Sequence, residues 1–425
     1  MKTIILGGQV LDASAATFVE KDFLIDGKYI SSLNEVSMET DADERLDVSG
    51  MLVVPGIADL SARVGGLMDR GHEAVQAELR ASSSGGITDI LISPDNRFQL
   101  NSASNVEMML KRAEGGALPR VYINGGLIST ETQKLTEVRA LKDSGCFGLT
   151  FGQEPIPSVK LLLIIMDYVA TLDLPLFISP REMSFYADEV IFESSTALRL
   201  GLPSVPSLAE ELAVYSIIRC AERSRVPVHM SEITTKSSVE LIRAAKDRGV
   251  AITCDVSINH LHFNVSDIAD FDPKFKIRPP LTTSADQQEI NKGLLDGTID
   301  AISSGHTPTS TDEKSLPYEQ ASFGASGVDL ILPAVLRWSV INDVPLAVAL
   351  SKITTEPARI LGKENHSLNE GASADLCIFD PSEDWVVSRE TLSSSCSSTP
   401  FEGDRLTGRV KYTYLDGKLI YSADH

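Results

Sequence analysis

The chain has 425 residues, of which 43% are hydrophobic and 23% are charged. This length accommodates two or three domains, or one large α/β barrel with an addition, and the composition excludes a disordered, collagen-like or coiled-coil protein. The formal net charge is −21. Such a surface repels nucleic-acid phosphates and anionic lipids, so we predict neither nucleic acid nor membrane as a partner.

The cysteines and the apolar segments predict a cytoplasmic protein. The five cysteines form no C-x-x-C motif, and we expect each to be a small core residue in a reducing compartment. The apolar run at the N-terminus is too short for a signal peptide. The most apolar stretch, 161–178, is interrupted by Asp167, Asp173 and Pro175, which is not the pattern of a membrane-spanning helix.

Eight short apolar runs alternate with segments of helical length between about residues 53 and 305. The runs are Leu52–Leu60, Ile87–Ser93, Val121–Gly125, Cys146–Thr150, Pro175–Ser179, Val226–Ile233, Val250–Ser257 and Ile299–Ser304. Eight βα units in about 250 residues favour a (β/α)8 TIM barrel over a doubly wound sheet. Two capping boxes, Ser207 with Glu210 and Ser237 with Glu240, predict helix starts, and Gly249 predicts the end of the second helix.

The two ends of the chain have a different pattern from the centre. Each contains an Asp-Gly pair between alternately apolar residues, Asp26-Gly27 near the N-terminus and Asp416-Gly417 near the C-terminus, and this pattern is typical of β-hairpins. The simplest arrangement pairs both ends in one small β-sandwich. We therefore predict sandwich segments at 1–52 and 367–425, with the barrel at 53–366.

Several motifs resemble those of dihydroorotases, which belong to the amidohydrolase superfamily. They are Val53–Leu60, Arg278-Pro-Pro-Leu281, Gly293–Ile302 and Thr399–Gly408. The resemblance extends over nearly the whole chain. It implies an amidohydrolase-type barrel, a role in pyrimidine biosynthesis, and chemistry on a cyclic amide that the family performs with zinc.

The resemblance also shows where the sequence departs from the catalytic pattern of the family. Residues other than the family's stand at its first-strand histidines, its metal-lining region, its fifth- and sixth-strand histidines and its general base, namely Ser61, Arg63, Gly152, Ser179, Glu232 and Gly305. Gly65 stands where the family has the arginine that binds the substrate carboxylate. Serine and glycine are not zinc ligands, and a permanently protonated Arg63 repels a dication. We therefore predict no zinc or other cofactor, no catalytic residues and no enzymatic activity.

Six polar residues at or near the predicted strand ends are expected to form a relic pocket: Asp59, Asp95, His229, Glu232, His260 and His306. Residues three apart on one strand point to opposite faces, so His229 and Glu232 are expected to bond to neighbours such as Arg63 rather than to act as a pair. His260 and His262 are expected in a loop. A remodelled metal site that uses Asp59, His229, Glu232, Asp255 and His306 is an alternative.

Within the family, the chain most resembles the non-catalytic dihydroorotase-like chains that join aspartate carbamoyltransferase in some bacteria. That resemblance implies a homodimer that supports assembly of the aspartate carbamoyltransferase catalytic chain. Two alternatives stay open. The chain is a metal-dependent, dihydroorotase-type cyclic-amide hydrolase with a rearranged site, or a module that binds carbamoyl-aspartate or a nucleotide in the relic pocket.

Overall fold

The computed structural model describes residues 2–12, 17–33, 42–129, 134–186, 189–268 and 270–424. Its strands, in chain order, are β1 (Lys2–Asp12), β2 (Thr17–Asp26), β3 (Tyr29–Leu33), β4 (Glu44–Asp47), β5 (Leu52–Pro55), β6 (Ile57–Ala62), β7 (Ile87–Ile92), β8 (Arg120–Gly126), β9 (Gly148–Thr150), β10 (Leu176–Ile178), β11 (Ile191–Phe192), β12 (Ser204–Val205), β13 (Val228–Met230), β14 (Ile252–Ser257), β15 (Ala301–Ser303), β16 (Leu376–Val386), β17 (Arg405–Leu415) and β18 (Lys418–Ser422).

The helices follow the barrel strands or join them to the terminal sheet. They are α1 (His72–Ser84), α2 (Ala103–Arg112), α3 (Val138–Asp143), α4 (Val159–Val169), α5 (Ser195–Leu200), α6 (Ser207–Ser224), α7 (Lys236–Asp247), α8 (Ile258–His262), α9 (Ser284–Asp296), α10 (Thr311–Lys314), α11 (Ile331–Ile341), α12 (Leu346–Ser351) and α13 (Thr355–Ile360). Short 3-10 turns lie at Gly65–Arg70, Met183–Phe185, Val265–Ile268 and Pro273–Phe275. No helix in the described ranges is both long and apolar enough to cross a membrane.

The eight predicted apolar runs form one parallel sheet that curls into the predicted barrel. The order is β15-β14-β13-β10-β9-β8-β7-β6. The first and last strands meet through a parallel bridge between Ala62 and His306, and the Arg63 backbone N–H donates to the His306 carbonyl at 2.9 Å. The TIM-barrel prediction is therefore confirmed.

The two chain ends form a separate sheet, as predicted. Its order is β18-β17-β16-β5-β1-β2-β3, with β4 paired to β1. Both Asp-Gly pairs lie in tight turns, between β2 and β3 and between β17 and β18. Strand β5 pairs with β16 and leads through Gly56 directly into β6, so the chain passes from the terminal sheet into the barrel within one residue.

The two predicted capping boxes are wrong. Helix α6 begins at Ser207, so its N-cap residue is Pro206, whose side chain cannot accept a hydrogen bond. The Glu210 carboxylate instead accepts bonds from Thr234 and Thr235. Helix α7 is capped by Thr235 rather than by Ser237. Gly249 follows the end of α7 with φ +79, as predicted.

A buried ion-pair network joins the barrel to the terminal sheet. The Lys363 ammonium lies 2.7 Å from Asp89 on β7 and 2.8 Å from Asp375 beside β16, and the Arg120 guanidinium contacts both carboxylates at 2.8 and 3.2 Å. Burial raises the pKa of both carboxyl groups, but the two cations outweigh it and hold the pKa of Asp89 and of Asp375 below the ordinary value of 3.8. A ring nitrogen of His366 lies within 4.8 Å of an oxygen of each carboxylate. Since lysine and arginine already compensate them, the group is an ion-pair network rather than a metal site.

Replacing Lys363 by methionine is expected to lower the free energy of unfolding by about 3 kcal/mol at neutral pH, because it leaves buried carboxylates undercompensated. Both carboxyl groups have a lowered pKa in the folded state. Their contribution to the free energy of unfolding is therefore fully present above the unfolded-state pKa of 3.8, and it is lost as the pH falls through their folded-state pKa values. Urea unfolding at pH 7 and at acid pH measures the free energy of unfolding of both proteins. The difference in this free energy between Lys363→Met and wild type should shrink below about pH 4.

Lys236→Met is the matched control, since Lys236 forms an exposed pair with Glu240 at 3.8 Å. This variant should lower the free energy of unfolding by less than about 0.5 kcal/mol. Equal losses for the two variants would contradict the assignment of the Lys363 network as a stabilising contact.

Candidate functional site

The barrel brings the sequence-predicted positions together at the carboxyl ends of its strands. Ser61 lies near the end of β6 and Arg63 directly follows that strand. Ser179 follows β10, Glu232 follows β13, and Gly305 follows β15. In TIM barrels this end holds the active site. The structure therefore places the family's catalytic positions where the resemblance implies, although the side chains there differ.

A buried ion pair connects two of these positions. Arg63 Nη2 donates to Glu232 Oε2 at 2.8 Å and Nη1 lies 3.4 Å from Oε1, with both side chains no more than 3% exposed. Burial lowers the pKa of the Arg63 guanidinium, but the Glu232 carboxylate outweighs it and raises the pKa above its ordinary value. The predicted contact between Glu232 and Arg63 is confirmed.

The residues at these positions do not fit the zinc that the family resemblance implies. Zinc takes cysteine, histidine or carboxylate ligands, whereas the positions carry Ser61, Arg63, Gly152 and Ser179. The one carboxylate there, Glu232, is already bonded to a fixed guanidinium that would repel a dication. Among the described residues, the only metal-type cluster is the compensated Asp89 group in the ion-pair network.

Gly305 stands at the position of the family's general base, and neighbouring side chains occupy the space that a side chain there would need. Its φ is +61, and a Cβ built on it would lie 2.8 Å from Ser257 Cβ and 3.5 Å from Glu232 Oε1. A side chain at this residue would therefore be strained and would clash with Ser257. The Glu232 carboxylate lies next to the volume that an aspartate would take.

Asp59 and His306 each contact neighbouring groups of the fold, although His306 Nε2 makes no well-aligned hydrogen bond among the described residues. The Asp59 carboxylate accepts bonds from Ser304 at 2.5 and 2.9 Å, and burial raises its pKa above the ordinary value. His306 Nε2 lies 3.1 Å from Glu78 Oε1, and the backbone N–H of Gly327 donates to Nδ1 at 3.2 Å. Burial raises the pKa of Glu78, but bonds from His306 and serines bring it below the ordinary value.

His229 faces away from this end of the barrel. Its Nε2 lies 2.8 Å from Asp255 Oδ2 and its Nδ1 2.9 Å from Thr253 Oγ1. It lines a cavity of about 310 Å³ together with Pro175 and Pro227, which precede strands β10 and β13. That cavity lies at the amino ends of the strands, opposite the expected active site.

His260 and His262 lie in the short helix α8 rather than in the predicted loop. His260 is buried, and its ring nitrogens contact Ser257 Oγ at 3.0 Å and the Pro280 carbonyl at 3.3 Å. The loop expectation failed because α8 follows directly on β14 with no intervening connection. Burial lowers the pKa of His260, and that of His262 to about 4.

The six predicted relic-pocket residues therefore do not line one cavity. Asp95 lines a cavity of about 210 Å³ at the barrel mouth, together with Gln153, Arg278, Thr307 and Phe323. Glu232 and Arg63 lie behind its wall, since Arg63 Nη1 is 3.5 Å from Thr307 Oγ1. Gly65, which replaces the family's arginine, leaves room in which the Asp95 carboxylate lies.

Four residues near the mouth carry buried polar atoms without a hydrogen-bond partner, and the sequence did not identify them as a set. Within the described ranges, Arg63 Nε, Ser179 Oγ, two nitrogens of Arg181 and Asn259 Oδ1 are buried without a hydrogen-bond partner. Native proteins leave few such groups, and each needs an explanation. The available signal was the position of Arg181, two residues beyond Ser179 at the end of a barrel strand.

Replacing Arg63 by methionine is expected to cost about 3–5 kcal/mol of unfolding free energy, because the Glu232 carboxylate is left buried without its counter-charge. The double variant Arg63→Met, Glu232→Gln should lose less than Arg63→Met alone. A double-mutant cycle by urea unfolding measures the coupling. If the double variant loses as much unfolding free energy as the two single variants added together, the two side chains are not coupled and the buried ion pair is contradicted.

Comparison with known proteins gives full-length matches. The chain is 31% identical to the Dihydroorotase of Geotalea daltonii over 429 residues, covering 100% of both chains. It is 32% identical to the Dihydroorotase of Desulforapulum autotrophicum over 413 residues, covering 95% of this chain and 96% of the relative. These proteins are similar to this chain from end to end.

The fold is also that of solved hydantoinases. The L-hydantoinase (dihydropyrimidinase) from Arthrobacter aurescens superposes with a TM-score of 0.84 at 20% identity, covering 98% of this chain and 95% of that one. A D-hydantoinase (dihydropyrimidinase) from Thermus sp. superposes with a TM-score of 0.82 at 18% identity, covering 98% of this chain and 94% of that one. At this identity the likeness concerns the fold alone.

The comparisons correct one prediction from the sequence. The prediction that the chain is not an enzyme is wrong, because the full-length relatives at about 30% identity are named as the enzyme Dihydroorotase. That prediction rested on the residues at the family's zinc, general-base and substrate-arginine positions, among them Ser61, Gly305 and Gly65. The amidohydrolase family model matches residues 72–420, and with the relatives above it shows that this chain belongs to the dihydroorotase family of amidohydrolases.

Proposed function

We propose that the chain is a cyclic-amide hydrolase of the dihydroorotase type, acting in pyrimidine metabolism through a rearranged site at the barrel mouth. The observation that carries the proposal is the set of orphaned polar groups at this end of the barrel, on Arg63, Ser179, Arg181 and Asn259. Unsatisfied buried groups beside a cavity are what a bound ligand satisfies. The full-length relatives named Dihydroorotase support the reaction class.

Proton transfer in this site is assigned to Glu232. Its carboxylate lies beside Gly305, the family's base position. In ring opening, a water oxygen attacks the amide carbonyl carbon and gives a proton to the Glu232 carboxylate. The ring C–N bond then breaks, the departing nitrogen takes that proton from Glu232, and the Glu232 carboxylate is regenerated. The Arg63 guanidinium holds the carboxylate in place and supplies a fixed positive charge beside the oxyanion that forms.

Because the mouth residues do not fit zinc, we propose that this activity needs no zinc. Purified protein should contain well under one zinc per chain by elemental analysis, and turnover of L-dihydroorotate and N-carbamoyl-L-aspartate should persist after treatment with a chelator. Glu232→Gln should lower turnover by about 10²–10⁴-fold, the usual contribution of a general base.

Glu240→Gln is the matched control, since Glu240 is exposed on α7 and forms an ion pair with Lys236. The turnover of this variant should equal that of wild type. Turnover abolished by the chelator and restored by added zinc would contradict the zinc-free site. Wild-type protein with no turnover in either direction would overturn the proposed function.

We also propose the partners implied by the family resemblance, a homodimer and the aspartate carbamoyltransferase catalytic chain. The packed helices α4 and α6 leave large apolar side chains exposed, among them Ile164 at 52% and Tyr215 at 53%. Contiguous exposed apolar side chains are typical of protein contacts.

Co-expression of the two chains followed by sizing chromatography tests the partnership. We expect co-elution, and an Ile164→Lys, Tyr215→Lys variant should weaken it by disrupting the apolar face. Lys292→Glu on α9, which is exposed on another helix, is the control. Separate elution of the wild-type chains at micromolar concentrations would contradict the assembly.

A further inference from the structure

Glu210 on helix α6 is a buried carboxylate that binds the turn after strand β13. Its side chain is 6% exposed, and Oε1 accepts from the backbone N–H groups of Thr234 at 3.1 Å and Thr235 at 3.0 Å. The hydroxyl groups of the same two threonines donate to the carboxylate at 2.5 and 2.9 Å. Four neutral donors from two successive residues therefore tie α6 to this turn.

These four bonds are not the cap of helix α7. That helix begins at Lys236 and already has a cap, because the Thr235 side chain accepts from the backbone N–H of Ser238 at 3.4 Å. Glu210 instead binds the two residues that precede the helix, where the positive end of the helix dipole also stabilises a carboxylate. The carboxylate consequently fixes the path of the chain into α7.

The turn that Glu210 binds also carries Glu232, two residues before Thr234. Glu232 has φ +58, a conformation that residues with a side chain rarely adopt. Its backbone N–H donates to Asp255 Oδ1 at 3.0 Å, while Glu210 binds the other end of the turn. A strained residue persists only where its surroundings hold it, and such residues concentrate at functional sites.

The place of the Glu232 carboxylate is defined closely by its neighbours. Oε2 lies 2.8 Å from Arg63 Nη2, and Oε1 would lie 3.5 Å from a Cβ built on Gly305. A displacement of about 1 Å in a reacting group costs about 10²-fold in rate. A shift of the backbone at Thr234 reaches the Glu232 carboxylate through only two residues.

We propose that Glu210 is a positioning residue, which holds the turn after β13 so that the Glu232 carboxylate faces the attacking water. Glu210 acts through the backbone of the turn and takes no part in proton transfer. This inference rests on the proposed function, since it states how the base of that site is held in place. The length of the Glu210 side chain, rather than its charge, is what the role requires.

Two variants of Glu210 separate length from charge in assays of L-dihydroorotate ring opening. Glu210→Asp keeps the charge but withdraws the carboxylate by one methylene, and it should lower kcat at least about tenfold with KM within about twofold of wild type. Glu210→Gln loses the charge but keeps an oxygen that accepts both backbone N–H groups, so its kcat should stay within about threefold of wild type. A Glu210→Gln variant that loses as much kcat as Glu210→Asp, or a change in KM alone, overturns the proposal.

Two controls accompany these variants. Glu211→Asp makes the same substitution at the next, half-buried residue of α6 and should have the kcat of wild type. Asp329 also accepts from two successive backbone N–H groups, those of Ser393 and Ser394 at 2.9 and 3.2 Å. Asp329→Ala should therefore unfold at lower urea concentration but keep the kcat of wild type. If it loses as much kcat as Glu210→Asp, the loss is one of general stability and the positioning role is overturned.

The milder variant Thr234→Val applies if Glu210→Asp does not fold. It removes the hydroxyl bond to Glu210 and leaves the backbone N–H in place, and it should lower kcat at least about threefold with KM unchanged. An unchanged kcat in this variant counts against the proposal.

Failure of the proposed function and failure of this inference give different results. A wild-type chain without turnover overturns the function, and urea unfolding of ligand-free protein then decides the positioning role. Glu210→Asp should lose less unfolding free energy in the Glu232→Gln background than in wild type, because the ion pair that it supports is already weakened. Equal losses in the two backgrounds overturn the positioning role. Turnover that is the same in Glu210→Asp and wild type overturns that role while the reaction stands.

Discussion

The buried pair of Arg63 and Glu232 determines the chemistry that this barrel mouth offers. It joins the end of β6 to the turn after β13, and it places a guanidinium where the family resemblance expects a zinc ligand. Glu232 has φ +58, an unfavourable conformation for a residue with a side chain. The backbone N–H of Glu232 donates to Asp255 Oδ1 at 3.0 Å, and this bond holds the turn in place. Asp255 also accepts from Ser303 and contacts His229, so one carboxylate fixes three strand ends.

Buried charged groups are paired at one end of the barrel and are only partly paired at the other. At the interface with the terminal sheet, Lys363 and Arg120 are matched by Asp89 and Asp375, and each charged group has a partner. At the mouth, two nitrogens of Arg181 have no hydrogen-bond partner among the residues that the structure describes. Since both ends belong to one acidic chain, overall composition cannot explain the contrast. The arrangement of cations at the mouth is a local property of that site.

The sequence was sufficient for the architecture because the strands of a barrel are buried on both faces and read as uninterrupted apolar runs. Each of the eight runs contains a barrel strand, although Leu52–Pro55 of the first run forms β5 of the terminal sheet, so the barrel begins at Ile57 rather than at residue 53. The helix starts were less predictable, since capping depends on competing partners: Glu210 bonds to Thr234 and Thr235 across the structure rather than to its own helix. The same limit applied to the site. Arg63 and Glu232 were identified as neighbours because both follow strands of known order. Arg181 was not identified, since the absence of a partner is a three-dimensional property that no sequence pattern records.

A guanidinium cannot supply the chemistry that a zinc ion supplies. This difference limits the mechanisms that are open to the site. Zinc lowers the pKa of bound water towards 7 and so generates a nucleophile at neutral pH. An arginine stabilises a developing oxyanion but leaves the water proton in place. A site built on Arg63 must therefore obtain its nucleophile from a proton acceptor, and Glu232 is the carboxylate beside the family's base position. Since the same carboxylate also neutralises Arg63, each proton that it accepts weakens the ion pair that holds it. In the proposed mechanism, proton transfer and the stability of the mouth are therefore coupled through one pair of side chains.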